Sequence, residues 1–145
     1  MSKFIKFLML SWCAMGFCPT AEAADGVEWL RSAEQAAELS KKTGKPIMIY
    51  VRSENCHYCD RMQQEVWQNP MTAAIVMREF VPLKLTREEN KEAVEAMKVK
   101  GYPSTLIFSA ARTYVGRLDG YLSNEKFLAA ISEVRTAAAE QKLQR

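Results

Sequence analysis

Pro46-Ile47-Met48-Ile49-Tyr50-Val51, then a polar turn, then Cys56-His57-Tyr58-Cys59: the rest of the chain is read outward from this stretch. The apolar run has the length and composition of a strand covered on both faces. The two cysteines, with two residues between them, fall where such a strand turns into a helix. A thiol at a helix N-terminus faces unpaired backbone N–H groups and the positive end of the macrodipole, and both favour thiolate over thiol. The thiolate is the species that attacks disulfides, so the spacing points to thiol–disulfide exchange.

Upstream, residues 1–23 read as a secretory leader. Lys3 and Lys6 form a positive start, Phe7 to Phe17 an apolar stretch, and Ala21-Glu22-Ala23 a small-residue cleavage site. A membrane span needs ~20 apolar residues, and this run is shorter. The reading is therefore a cleaved leader and an exported protein, periplasmic in a Gram-negative bacterium and otherwise secreted. Phe17 before Cys18 argues against a lipoprotein site. Cys13 and Cys18 depart with the leader, leaving Cys56 and Cys59 to the mature chain, so a framework of several disulfides is excluded. Residues 24–145 suffice for one domain with its own core and are too few for two. Loss of Lys3, Lys6 and Glu22 lowers the net charge from +3 to +2. With no basic stripe interleaved with aromatics, nucleic-acid binding has no support.

Downstream and upstream of the cysteines, helix and strand signals alternate. Ser32-Ala33-Glu34-Gln35 is a capping box opening a helix that Gly44 ends. From His57, the residues Cys59, Met62 and Val66 share one helical face, and Asn69-Pro70 breaks the helix before a second segment, Met71 to Arg78. Phe80 to Leu85 reads as a strand. Thr86-Arg87-Glu88-Glu89 reads as a second capping box, opening a helix that turns Ala93, Val94 and Met97 inward and stops at Gly101. Thr105 to Phe108 and Thr113 to Leu118 form a hairpin whose turn, Ser109 to Arg112, lacks the usual Gly or Asn. Ser123 caps a last helix with Phe127, Leu128, Ile131 and Val134 facing the core, and the polar tail from Glu140 is expected to fray. The class is α/β, a central mixed sheet flanked by helices on both faces. The five methionines after residue 24 read as core filler.

Over Trp29 to Val134 these residues resemble the thioredoxin superfamily. The resemblance rests on Ile47 to Val51 leading into Cys56-His57-Tyr58-Cys59, on Phe80 to Leu85, on Val99 to Phe108, and on Gly116 and Gly120 before the last helix. Gly101-Tyr102-Pro103 is similar to the family's cis-proline loop, which implies a cis bond and a substrate-binding role for Tyr102 and Pro103. The Cys-His-x-Cys motif, with Met62 and Glu65 after it, is more similar to exported thioredoxin-like proteins than to cytosolic thioredoxin. Three positions depart from the cytosolic pattern. Asn55 stands where a Trp usually precedes the first Cys, Tyr50 replaces the buried Asp that receives a proton from the second, and Gln64 replaces the proline that kinks the active-site helix.

The resemblance implies a protein thiol–disulfide oxidoreductase in which Cys56 and Cys59 are catalytic and form the redox-active disulfide. His57 stands beside Cys56 to stabilise its thiolate, and Tyr58 supplies a rim for substrate. Lys84 matches a thioredoxin lysine near the active site, and Glu54 is a further candidate for electrostatic tuning. No metal site and no bound cofactor is expected. Expected partners are exported client proteins with disulfides and a membrane electron donor; the protein is expected to be a monomer. Reduction of clients is favoured because neither a dimerisation domain nor a large helical insert is legible in residues 24–145. Oxidation or isomerisation on the same fold stays open, as does a copper- or zinc-binding chaperone using the same thiolates. Zinc usually takes four Cys or His ligands, whereas the mature chain offers two Cys and one His. Haem attachment needs His directly after the second Cys, where Asp60 stands.

Overall fold

The structure, a computed structural model, describes residues 26–143, with side chains as far as Thr136. The leader assigned to residues 1–23, with Cys13 and Cys18, lies outside the described residues. The order is α1 (Ala33–Thr43), β1 (Ile47–Arg52), α2 (His57–Met62) running into a π-helical turn (Gln63–Trp67), α3 (Pro70–Glu79), β2 (Val81–Thr86), α4 (Lys91–Ala96), β3 (Ser104–Phe108), β4 (Tyr114–Asp119) and α5 (Asn124–Leu143). The strands lie in the order β2-β1-β3-β4. β1 pairs parallel with β2 and antiparallel with β3, and β3 pairs antiparallel with β4. The mixed α/β sheet expected from the sequence is thus observed.

Alternation along the apolar strands divides the core into two layers. Met48 and Tyr50 of β1 and Ile107 of β3 face Met62, Val66, Trp67, Val76, Phe127 and Ile131. Ile47, Val81, Leu83 and Leu85 face Ala36 of α1, and Val51 and Leu106 face Val94 of α4. Helices therefore cover both faces, as strands without a polar side require. Four of the five methionines after residue 24 are buried or packed against the core, but Met71, at the second position of α3, is exposed and fills nothing.

The segment before α1 is fastened to the far end of the helix that carries the cysteines. Val27 N–H donates to the carbonyl of Trp67 at 2.9 Å. Gly26 makes this approach possible: its φ is +108°, and a Cβ there would lie 2.9 Å from the same oxygen. Leu30 then adds a single parallel bridge to Leu83 at the outer edge of β2.

Several local readings need correction. Thr86 does not open α4; it is the last residue of β2. Residues 87–90 form a turn, and the helix starts at Lys91, after Asn90 has turned its side chain back to accept the Thr86 N–H at 3.2 Å. Ala93, expected to face inward, lies on the solvent side, while Val94 is buried. Gly101 does not stop the helix either, because Lys98 has already entered the left-handed region at φ 55°. The hairpin turn lacking glycine uses Arg112 in that region, at φ 62°, with Thr113 N–H donating to Ser109 Oγ. The last helix, expected to end in a polar tail from Glu140, is helical in backbone to Leu143. Among the described residues, no helix is long and apolar enough to cross a membrane.

Two substitutions with opposite signs test these backbone assignments. Lys98→Gly removes a left-handed penalty and should stabilise the fold by about 0.5–1 kcal/mol. Gly26→Ala forces a methyl group against a backbone oxygen and should cost about 1–3 kcal/mol. Urea unfolding followed by tryptophan fluorescence reads both.

Candidate active site

β1 ends at Arg52, and three residues later Asn55, at φ 52°, turns the chain sharply into α2. Cys56 is the N-cap. Its carbonyl accepts the N–H groups of Cys59 and Asp60 at 3.0 and 3.1 Å, and its Sγ accepts Cys59 N–H at 3.2 Å. The sulfur occupies the place that a serine or aspartate oxygen takes in an ordinary cap. The two cysteines are joined in a disulfide with Cα atoms 5.2 Å apart. They are not equivalent: Cys56 is partly exposed and Cys59 fully buried. Burial of Cys59 follows from the helical face it shares with Met62 and Val66.

Tyr50 closes the site from below. It is fully buried, and its hydroxyl donates to the Cys59 carbonyl at 3.3 Å. Trp29 and Trp67 pack on it with ring centroids 5.5 and 5.1 Å away. Burial pushes the phenol up to about 12, so Tyr50 stays neutral and does not substitute for a carboxylate as proton acceptor. Lys84, paired with Tyr50 across the parallel β1–β2 register, lies on the same sheet face. Its Nζ donates to Gln63 Oε1 at 3.2 Å and lies 5.9 Å from the Tyr50 ring centroid. Partial burial, then the charges of Arg52 and Arg31, lower the lysine's pKa below its usual 10.5. In place of the proline kink, the helix carries the π turn, closed by Gln68 N–H donating to Gln63 O at 3.0 Å.

The remaining candidates fall in different places. His57 is exposed at the first position of α2, its ring edge-on to Tyr58 at 5.6 Å. Tyr58 is 56 % exposed, enough to meet a macromolecule. Tyr102-Pro103 is a cis peptide bond, immediately before Ser104, which pairs with Val51 at the end of β1. The cis-proline loop and the cysteines therefore share one end of the sheet. Glu54 lies on the approach to Cys56 with its side chain exposed; its backbone N–H donates to Glu88 Oε2 at 3.2 Å.

Reading the sequence alone missed the contacts that fix the helix from its sides. Arg52 of β1 pairs with Asp60 at 2.8 Å. Arg61 pairs with Glu65 at 2.8 Å and stacks over Tyr121 at 4.6 Å, while the Tyr121 hydroxyl donates to the other oxygen of Glu65. That hydroxyl, with Arg61 second, lowers the Glu65 pKa. Tyr121 also lies 6.2 Å from Tyr58, so two tyrosines line the rim beyond the cysteines. Spacing of four residues announces Arg61–Glu65. No local pattern announces Tyr121, which arrives from the far side of the sheet. Among the described residues, no group of three or more His, Cys, Asp or Glu is placed to hold a metal.

A mixed sheet of this order, with a cysteine pair capping the helix after its central strand and a cis-proline loop beside it, defines a thioredoxin-like fold. The chain belongs to the thioredoxin-like domain family, whose model matches residues 33–135. Among solved structures, a thioredoxin from Thermus thermophilus superposes with a TM-score of 0.70 at 24% identity, over 78% of this chain and 90% of that one. A putative disulphide-isomerase from Bacteroides thetaiotaomicron gives 0.69 at 24% identity, over 77% and 94%. The DsbH oxidoreductase gives 0.65 at 22%, over 81% and 88%. These likenesses are of fold. Among curated proteins, human spermatogenesis-associated protein 20 is 31% identical over 70 residues, 48% of this chain and 9% of that protein. An uncharacterised protein of Caenorhabditis elegans is 33% identical over 70 residues, 48% of this chain and 10% of its own length. The chain thus spans about a tenth of these two relatives.

Two variants test the buried layer. Tyr50→Phe keeps the ring packing and removes one hydrogen bond, so it should cost about 1 kcal/mol in urea unfolding. Lys84→Met removes a cation whose folded pKa lies below its unfolded value. The charged form is penalised at neutral and acid pH, and the penalty fades as pH rises from the lowered folded pKa through 10.5. The stability difference between Lys84→Met and wild type should therefore shift against the variant across that alkaline window; a pH-independent difference would contradict the assignment.

Proposed function

We propose that the protein is an exported reductase of client disulfides that draws electrons from a membrane donor. One observation carries the exchange chemistry: the pair is asymmetric, with the partly exposed Cys56 Sγ capping the helix and Cys59 buried beneath it. In the reduced protein the Cys56 thiolate, stabilised by the Cys59 N–H at the helix start and by His57 alongside, attacks one sulfur of a client disulfide. A mixed disulfide forms, and the other client sulfur leaves as a thiolate that takes up a proton. Cys59 then loses its proton and attacks Cys56 Sγ. The mixed disulfide breaks, the second client thiolate departs, and two electrons have passed to the client while Cys56–Cys59 is oxidised. A dithiol donor reverses the sequence on the protein. Tyr58, Tyr102 and Pro103 supply the client surface. Export rests on the leader pattern of residues 1–23, and the direction of electron flow on the resemblance to exported single-domain thioredoxin-like proteins.

Cys59→Ser should accumulate mixed disulfides with clients, visible on non-reducing gels, and Cys56→Ser should form none. Faster alkylation of Cys59 than of Cys56 at mildly acidic pH would reverse the roles. Thiol trapping of intact cells reads direction. A largely reduced pair is expected, whereas a pair that stays oxidised without any membrane donor identifies an oxidase. His57→Ala should raise the Cys56 pKa and make the potential more negative, by roughly 30 mV for each ~1.4 kcal/mol of lost thiolate stabilisation.

A further inference from the structure

Beside the cis-proline loop lies a cleft of about 300 Å³ lined by Arg87, Lys91, Val94, Glu95, Val99, Lys100 and Tyr102. Its position follows from the topology. Arg87 directly follows β2, and its N–H donates to the carbonyl of Arg52 at 2.8 Å, at the end of the parallel strand that leads to Cys56. Tyr102, also on the lining, immediately precedes Pro103. The cleft therefore opens at the same end of the sheet as the cysteines, on the α4 side.

Its chemistry is one-sided. Arg87, Lys91 and Lys100 are all exposed, and among the described residues none of the three forms an ion pair, although Glu88, Glu89, Glu92 and Glu95 are near in sequence. Glu95 is the only carboxylate on the lining. Buried Val94 and partly buried Val99 and Tyr102 give an apolar floor. Three unpaired cations around a small apolar-floored cleft make a receptor for carboxylates carried on a short extended segment.

We infer that this cleft selects clients, by binding an acidic segment of the client polypeptide that flanks its disulfide. The inference rests on the reductase reading and adds a substrate class to it. A segment laid along the Tyr102-Pro103 backbone in strand-like fashion brings its disulfide over Cys56 and its neighbouring side chains to the cleft. Aspartate or glutamate there meets positive potential, and lysine or arginine meets repulsion.

The test compares two disulfide-looped peptides, identical except for two flanking Asp-Glu or Lys-Lys residues, together with bis(2-hydroxyethyl) disulfide as a neutral small substrate. Reduction by the pre-reduced protein at low ionic strength should show kcat/KM about tenfold higher for the acidic peptide than for the basic one. That ratio should shrink as salt is raised. In the triple variant Arg87→Gln, Lys91→Gln, Lys100→Gln it should fall to near one, and in Glu95→Gln it should rise. These side chains are solvent-facing, and unfolding midpoints verify that the variants are folded. Binding of the acidic peptide to the Cys56→Ser, Cys59→Ser protein, seen as amide NMR shifts at Val99 and Lys100, gives a readout without redox chemistry. Equal rates for both peptides, with the small disulfide still reduced, overturn the cleft assignment and leave the reductase reading standing. Failure to reduce any of the three substrates, with the acidic peptide still bound by the double-Ser protein, overturns the reductase reading instead.

Discussion

Tyr50 reaches up from the central strand to the carbonyl of Cys59, and that contact ties the cysteine-bearing helix to the sheet beneath it. A phenol is much longer than the carboxylate that the resemblance would place there. It fills the space under the helix with ring surface, and Trp29 and Trp67 complete the packing around it. The same substitution removes a buried proton acceptor. Tyr50 is neutral at any physiological pH, so it offers Cys59 no proton acceptor, and the floor under the helix is aromatic instead of acidic. Lys84 remains as the polar group on that side, tied to Gln63 and held partly out of water.

Much of this arrangement was legible in the sequence, for physical reasons that can be named. The strand before the cysteines is apolar on both faces, and Cys59, Met62 and Val66 recur at helical spacing, so fold class and the buried face of the helix follow from periodicity. The cap at Ser32 and the stop at Gly44 were equally local and were found as read. The α4 start failed for an instructive reason. Thr86 and Glu89 have capping-box spacing, but Thr86 was already committed to the β1–β2 ladder, and tertiary pairing overrode the local signal. Glycine signals failed in the same region because Lys98 and Arg112 accept left-handed backbone themselves, which composition does not reveal. Tyr121 and its bond to Glu65 were invisible because the two residues meet only after the sheet has formed.

The charges around the helix divide into two groups with different work. Arg52–Asp60 and Arg61–Glu65 are satisfied pairs, exposed enough that each adds little to stability; Arg52 reaches Asp60 from β1, and Tyr121, after β4, reaches the Arg61–Glu65 pair within the helix, so the helix is held from two sides. The cations of the α4 cleft are unpaired and hold nothing. Positional rigidity on one flank and unspent charge on the other are what a surface needs to keep its sulfurs fixed while meeting a flexible partner.

The π turn has a positional meaning. Cys56, partly exposed, and Cys59, fully buried, lie in the first turn of the helix. Close-packed cores yield poorly, and Trp67, at the far end, is clamped between aromatic rings and strapped by Val27. The widened hydrogen-bond ring from Gln63 to Gln68 encloses Trp67 itself, so the helix departs from α-helical hydrogen bonding where it meets the core. Val66 and Trp67 are both fully buried there, and the helix is moored by its last turn while its first turn presents Cys56.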